Sequence, residues 1–216
     1  TEKKETVESE PVSVSVKTSW ANVHEQGARE DQQDSFAVSD IENEELVQKK
    51  GILLTVADGM GGLTNGGKIS SLAVSTSQNM FQNLPEYLSA PDMLLEIASQ
   101  ANRNVNQFLA DKQRGGSTLV SAIIRENYLY FLTIGDSRIY LYRNGASLQL
   151  NREHIYKEEL AVMAVNGMLP VGRIGFDPQV KSLTSFLGNG RIAYLDRNID
   201  GIKLIDKDKI ILASDG

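Results

Sequence analysis

Val12, Val14 and Val16 alternate with Ser13, Ser15 and Lys17, the two-residue period of a half-buried strand leading to Trp20. After a polar stretch, residues 35–41 offer a second strand, the charged residues 42–50 a hairpin connection, and residues 51–57 (GILLTVA) a buried strand. The period then changes. Ile69, Leu72, Ala73, Thr76 and Met80 recur at helical spacing, which predicts an amphipathic helix over residues 68–81. Ser89-Ala90-Pro91-Asp92 starts a second helix reaching residue 111, with Leu94, Leu95, Ala98, Ala101, Val105 and Phe108 as its apolar stripe.

Two helices then give way to consecutive strands. Residues 117–124, 128–134 and 138–143 are β-branched and aromatic runs, joined by Arg125-Glu126-Asn127 and Gly135-Asp136-Ser137 and closed by Asn144-Gly145. With no helix between them, they are predicted to be antiparallel neighbours. Tyr128, Tyr130, Tyr140 and Tyr142 have strand periodicity and read as sheet packing. A shorter helix over residues 152–166, an irregular stretch to Pro178, and strands at 201–204 and 209–213 complete the chain. Runs of strands and runs of helices, without strict alternation, predict an α+β layered sandwich.

Composition bounds the class. With 216 residues and 41% hydrophobic content, the chain is long enough for one domain with a sizeable core. Residues 1–10 hold four glutamates and two lysines and read as a disordered tail or linker, leaving 11–216 as the domain. There is no uninterrupted apolar run of transmembrane length and the first residues lack signal-peptide order, so a soluble, cytoplasmic protein is expected, with no membrane span. Cysteine is absent, which excludes disulfides and thiolate metal sites. A net charge of −6 argues against a large nucleic-acid surface, which depends on clustered Lys and Arg.

The candidate chemistry sits where apolar runs end. GILLTVA stops at Asp58-Gly59-Met60-Gly61-Gly62, KIILAS stops at Asp215-Gly216, and Asp136 lies between two strand-like runs. Three aspartates at strand ends predict a cluster of hard oxygen ligands, of the kind suited to Mg²⁺, Mn²⁺ or Ca²⁺. His24 and His154 lack a second histidine at ligand spacing and read as surface or packing residues. Asp206-Lys207-Asp208 lacks the glycine and terminal glutamate of a calcium loop.

Five runs then occur in a known order: residues 27–35 (GAREDQQDS), residues 58–62 (DGMGG), Gly116-Ser117-Thr118, Gly135-Asp136-Ser137-Arg138 and Ser214-Asp215-Gly216. In this order the chain resembles the metal-dependent serine/threonine phosphatases of the protein phosphatase 2C family, bacterial type, from about Val12 onward. The resemblance implies a four-layer α-β-β-α sandwich of two packed antiparallel sheets flanked by helix pairs. It also implies hydrolysis of phosphoserine and phosphothreonine by water held between two Mn²⁺ or Mg²⁺ ions, with a third ion in some members. By that resemblance Asp58 bridges two ions, the Gly59 carbonyl ligates one, Asp215 holds the other and Asp136 helps hold the third. Arg29 takes the substrate phosphate and Asp34 supports the water shell. The implied partner is a phosphorylated protein, a serine/threonine kinase or its targets.

Departures from the pattern matter too. Gln33 stands where the family often has Glu, Met60 where animal-type members carry a histidine, and the closing Asp-Asn motif is absent. The expectation is a catalytic domain lacking its C-terminal segment, with a catalytically reduced phosphoprotein-binding domain as the alternative. A remoter alternative is a P-loop nucleotide hydrolase, because residues 62–68 (GLTNGGK) match the spacing of glycine, four residues, then Gly-Lys. Ile69 occupies the position of the Mg²⁺-binding hydroxyl, which counts against it.

Overall fold

The buried run at residues 51–57 supplies, from Ile52 on, an internal strand of the larger sheet in a computed structural model that describes residues 18–26, 31–60, 62–110 and 114–215. The strand read from Val12, Val14 and Val16 lies outside the described residues. Strand β2 (Ile52–Met60) pairs antiparallel with β1 (Asp34–Val38) on one side and with β3 (Gly116–Ser117) and β4 (Leu119–Arg125) on the other. Strand β4 pairs with β5 (Tyr128–Ile134), which carries the short β8 (Asp196–Arg197) and β9 (Ile202–Lys203) on its outer edge. A second sheet is built from β6 (Arg138–Arg143), β7 (Ala146–Gln149) and β10 (Lys209–Ala213), with β6 in the middle.

Two apolar layers follow from strand alternation. Leu53, Ala57, Ile123 and Leu132 face α2 (Gly62–Asn83) and α3 (Ala90–Leu109), burying Ile69, Ala73, Phe81, Met93, Leu94, Ile97 and Ala101. Val120, Ala122, Leu129 and Phe131 point the other way and meet Ile139, Ile210 and Leu212 of the small sheet. Helix pair, large sheet and small sheet are thus three layers of the expected sandwich. No helix pair covering the outer face of the small sheet is found among the described residues.

Several boundaries moved for identifiable reasons. Residues 42–50, read as a hairpin connection, contain helix α1 (Glu44–Lys50). Its Asn43 side chain accepts the Leu46 N–H, and acids open the helix while lysines close it, matching the helix dipole. The Lys50 ammonium is buried and donates to the Phe81 and Gln82 carbonyls at 3.0 and 2.7 Å, capping the end of α2. Strands β5 and β6 are not neighbours: the chain changes sheets at Gly135-Asp136-Ser137, which sequence adjacency could not reveal. Helix α2 begins at Gly62, six residues before the predicted start at residue 68, so the glycine-rich run is helical.

Candidate active site

Directly opposite residues on paired strands share a face, and Asp34 stands directly opposite Asp58. Like charges in that position destabilise a sheet, so the pairing calls for a compensating cation or proton. Asp58 also shares its face with Val56, opposite Val120 of the inter-sheet core, which places it at the end of the cleft between the sheets. The small sheet brings two more acids to this rim. Asp136 lies in the turn where the chain changes sheets, and Asp215 follows β10. The Ser214 hydroxyl donates to Asp34 Oδ2 at 2.9 Å, joining the end of β10 to the start of β1.

The electrostatics report this convergence. Burial first, then the charges of Asp34 and Asp215, push the Asp58 carboxyl up to about 7, with a carboxyl hydrogen bond to Asp215 and the charge of Asp136 adding to the effect. Asp136 is raised as well, by burial and then by Asp215. The structure thus brings Asp34, Asp58, Asp136 and Asp215 together, with the Gly59 carbonyl one residue beyond Asp58. Arg29 lies outside the described residues.

A network of buried hydroxyls holds the two acidic turns in register. The Asp58 N–H donates to Thr118 Oγ1 at 2.9 Å, and Thr118 Oγ1 lies 2.7 Å from Ser137 Oγ. The Thr118 N–H and the Ser117 hydroxyl donate back to the Asp58 carbonyl at 2.8 and 3.0 Å. The Asn151 amide donates to the Ser137 carbonyl at 3.0 Å. None of Thr118, Ser137, Asn151 and Ser214 carried a role in the sequence reading. Ser137 and Ser214 do stand beside acids, whereas the roles of Thr118 and Asn151 exist only once β2, β4 and the sheet-changing turn are packed.

Thr118→Val keeps the shape and removes the hydroxyl, leaving the Asp58 N–H and the Ser137 hydroxyl without this partner. A loss of about 1–3 kcal/mol is expected. That corresponds to about 2–4 °C of melting temperature per kcal/mol, whereas Thr118→Ser should keep most of it. Thermal melting of the metal-free variants checks this, and a valine variant melting with the wild type would refute the network.

The donor set fits hard divalent cations: carboxylates, a backbone carbonyl, no thiolate, and like charges that an added cation would relieve. Among the described residues no group of three or more His, Cys, Asp or Glu is arranged to hold a single ion. The fit is therefore to ions held by one or two carboxylates with water completing the shell, the habit of Mg²⁺. A cavity of about 380 Å³ lined by Ser89, Asp92, Arg125, Glu126, Tyr130 and Arg197 lies at the opposite end of β4 and β5. It shares no residue with the acidic cluster, which is an open rim.

Comparison with known proteins decides the family. The family model described as protein phosphatase 2C matches residues 21–160. The chain belongs to the protein phosphatase 2C family. Among relatives, a serine/threonine phosphatase stp of Listeria innocua is 30% identical over 114 residues, covering 50% of this chain and 45% of the relative. The serine/threonine protein phosphatase PstP of Mycobacterium tuberculosis is 29% identical over 120 residues, covering 55% of this chain and 23% of the relative. The chain thus spans less than half the length of these two relatives. Among solved structures, the PPM Ser-Thr phosphatase MsPP from Mycobacterium smegmatis, in complex with cacodylate, superposes with a TM-score of 0.64 at 29% identity. That match covers 85% of this chain and 72% of the other. The S. agalactiae serine/threonine phosphatase gives 0.71 at 23% identity, over 87% and 74%, and shares the fold. The P-loop alternative is not favoured: residues 62–68 form the first turns of α2, and β2 pairs antiparallel on both sides.

Proposed function

We propose that this protein phosphatase 2C domain hydrolyses phosphoserine and phosphothreonine esters of proteins, using two Mn²⁺ or Mg²⁺ ions held by the rim carboxylates. The observation that carries this reading is the convergence of Asp34, Asp58, Asp136 and Asp215 from two sheets, which pushes Asp58 up to about 7. Such repulsion in a fold that could have placed neutral residues there is the mark of a site built for positive charge.

Each residue would have a defined task in this reading. Asp58, with repelling acids on more than one side, would hold cations together with Asp215 and the Gly59 carbonyl, and Asp136 would hold a further, weaker one. Asp34 accepts the Ser214 hydroxyl through Oδ2 and would orient water around the ions. When bound, the ions supply Lewis acidity and a water whose proton is lost near neutral pH, so no serine or cysteine nucleophile is required. Arg29, by its place in the motif, would take the substrate phosphate through a bidentate guanidinium contact.

No helix among the described residues is long and apolar enough to cross a membrane. The phosphoprotein substrate and a cytoplasmic setting are part of this proposal.

The test is phosphate release from a phosphothreonine peptide with Mn²⁺ and with chelator. Release that requires Mn²⁺ supports the assignment. Equal release in chelator would overturn it. A folded chain that binds Mn²⁺ yet releases nothing would be the reduced, phosphoprotein-binding form of the domain.

A further inference from the structure

His154 was expected to be a surface or packing residue, and the structure gives it a more specific place. It is 8% exposed and precedes helix α4 (Tyr156–Val165), on the far side of β6 and β7 from Asp136 in the chain. Two hydrogen bonds tie it to one residue. The Gly135 N–H donates to His154 Nδ1 at 3.0 Å, and the His154 N–H donates to the Gly135 carbonyl at 2.9 Å. Because Nδ1 accepts, a neutral ring carries its proton on Nε2. The His154 carbonyl in turn accepts the Thr184 N–H at 2.9 Å, and Ile155 bridges to Leu183.

Gly135 is the residue before Asp136. It adopts φ +101°, and a Cβ there would meet Thr118 Cγ2 at 2.7 Å, so this turn has little freedom to find another conformation. On its other side the turn is held by Thr118 and Asn151 through Ser137. The imidazole is thus the side-chain acceptor that fixes the leading edge of the turn. A backbone N–H held by a ring nitrogen sets the direction in which the next side chain leaves the chain.

We propose that His154 is a positioning residue for Asp136. By clamping Gly135 it aims the Asp136 carboxylate at the rim, and so governs the cation-binding step that Asp136 serves. The inference rests on the cation-site reading above. It also makes His154 the join between the acidic rim and the segment running from α4 to residues 183–184.

The experiment compares wild type, Asp136→Asn, His154→Asn, His154→Gln and His154→Leu by Mn²⁺ titration calorimetry, with metal-free melting temperatures as the measure of folding. Asparagine places Oδ1 near the position of Nδ1 and can still accept the Gly135 N–H. Glutamine reaches instead toward the position of Nε2. The expected result is that Gln and Leu weaken the same Mn²⁺ step as Asp136→Asn, by roughly tenfold, as loss of an outer-sphere partner does, while Asn stays near wild type. The Gly135 amide in metal-free protein gives a second readout: its hydrogen-exchange protection should persist in His154→Asn and fall in His154→Gln.

If leucine fails to fold, the Asn and Gln pair decides, since the two have equal polarity. Equal Mn²⁺ affinity and equal Gly135 protection in Asn and Gln would overturn the positioning role. Should Asp136→Asn leave every Mn²⁺ step unchanged while the Asn and Gln variants differ in Gly135 protection, the ligand role of Asp136 fails. The metal-binding half of the proposal falls with it.

Discussion

Asp58→Asn is expected to make the metal-free protein more stable while removing the proposed metal-dependent activity. The Asp58 carboxyl is raised from an ordinary 3.8 to about 7 in the fold, so between those values the folded state holds a proton that the unfolded chain releases. The stability associated with that proton is fully present below about pH 4 and is lost as pH rises through 7. At pH 8 the wild type therefore carries a buried, repelled charge that asparagine lacks. The full shift would correspond to about 4 kcal/mol. Asp58 is only partly buried, and solvent screening reduces this to on the order of 2 kcal/mol. Melting curves without metal should show Asn above wild type at pH 8 by about 4–8 °C, with the gap closing toward pH 4.

Adding Mn²⁺ should reverse the order, because the wild type binds the ion more tightly and gains more binding free energy from it. Phosphatase activity should fall by more than about a hundredfold, the scale on which losing a main electrostatic group acts. An asparagine variant that melts below wild type at pH 8 would mean that Asp58 is a structural acid. One that retains activity would sink the proposed mechanism.

Gly59→Ala is expected to disrupt the site from the packing side. A Cβ at this position would collide with the Gly66 carbonyl oxygen and carbon, both backbone atoms of α2. The obstacle cannot rotate away, so either the start of α2 lifts from β2 or the end of β2 shifts. Gly59 also donates its N–H to the Gln33 carbonyl at 3.0 Å and pairs with Ser117, so a shift of β2 disturbs β1 and β3 together. Overpacking of this kind costs about 1–3 kcal/mol or more. The expected readout is a melting temperature lower by about 2–4 °C per kcal/mol together with weakened Mn²⁺ binding. Gly172→Ala is the control, because nothing lies within 4 Å of its added Cβ. If Gly59→Ala melts with the control, α2 does not pack against β2 in this way.

Much of this protein was legible in the chain because short-range physics writes short-range patterns. The three-and-four spacing at Ile69, Leu72, Ala73, Thr76 and Met80 gave α2, Ser89 before Pro91 gave the start of α3, and the apolar run at 209–213 matches β10. Asp58, Asp136 and Asp215 were legible as candidates because each interrupts or ends an apolar run, which marks the rim of a sheet. Helix α1 is the exception: Asn43, its acids and its lysines spell both ends, but its charge density alone resembles that of a loop.

What the residues could not express was partnership across distance. The chain determined three acids at strand ends, a glycine run beside one of them, and an order of motifs shared with a family. Only the tertiary structure decided that β5 and β6 part into different sheets, that Asp34 lies directly opposite Asp58, and that Ser214 closes onto Asp34. It also decided that His154 grips the turn carrying Asp136. The physical reason is that a side chain's periodicity reports which face it occupies, whereas the neighbours on that face are set by strand order and sheet packing. Those are collective choices of the whole core.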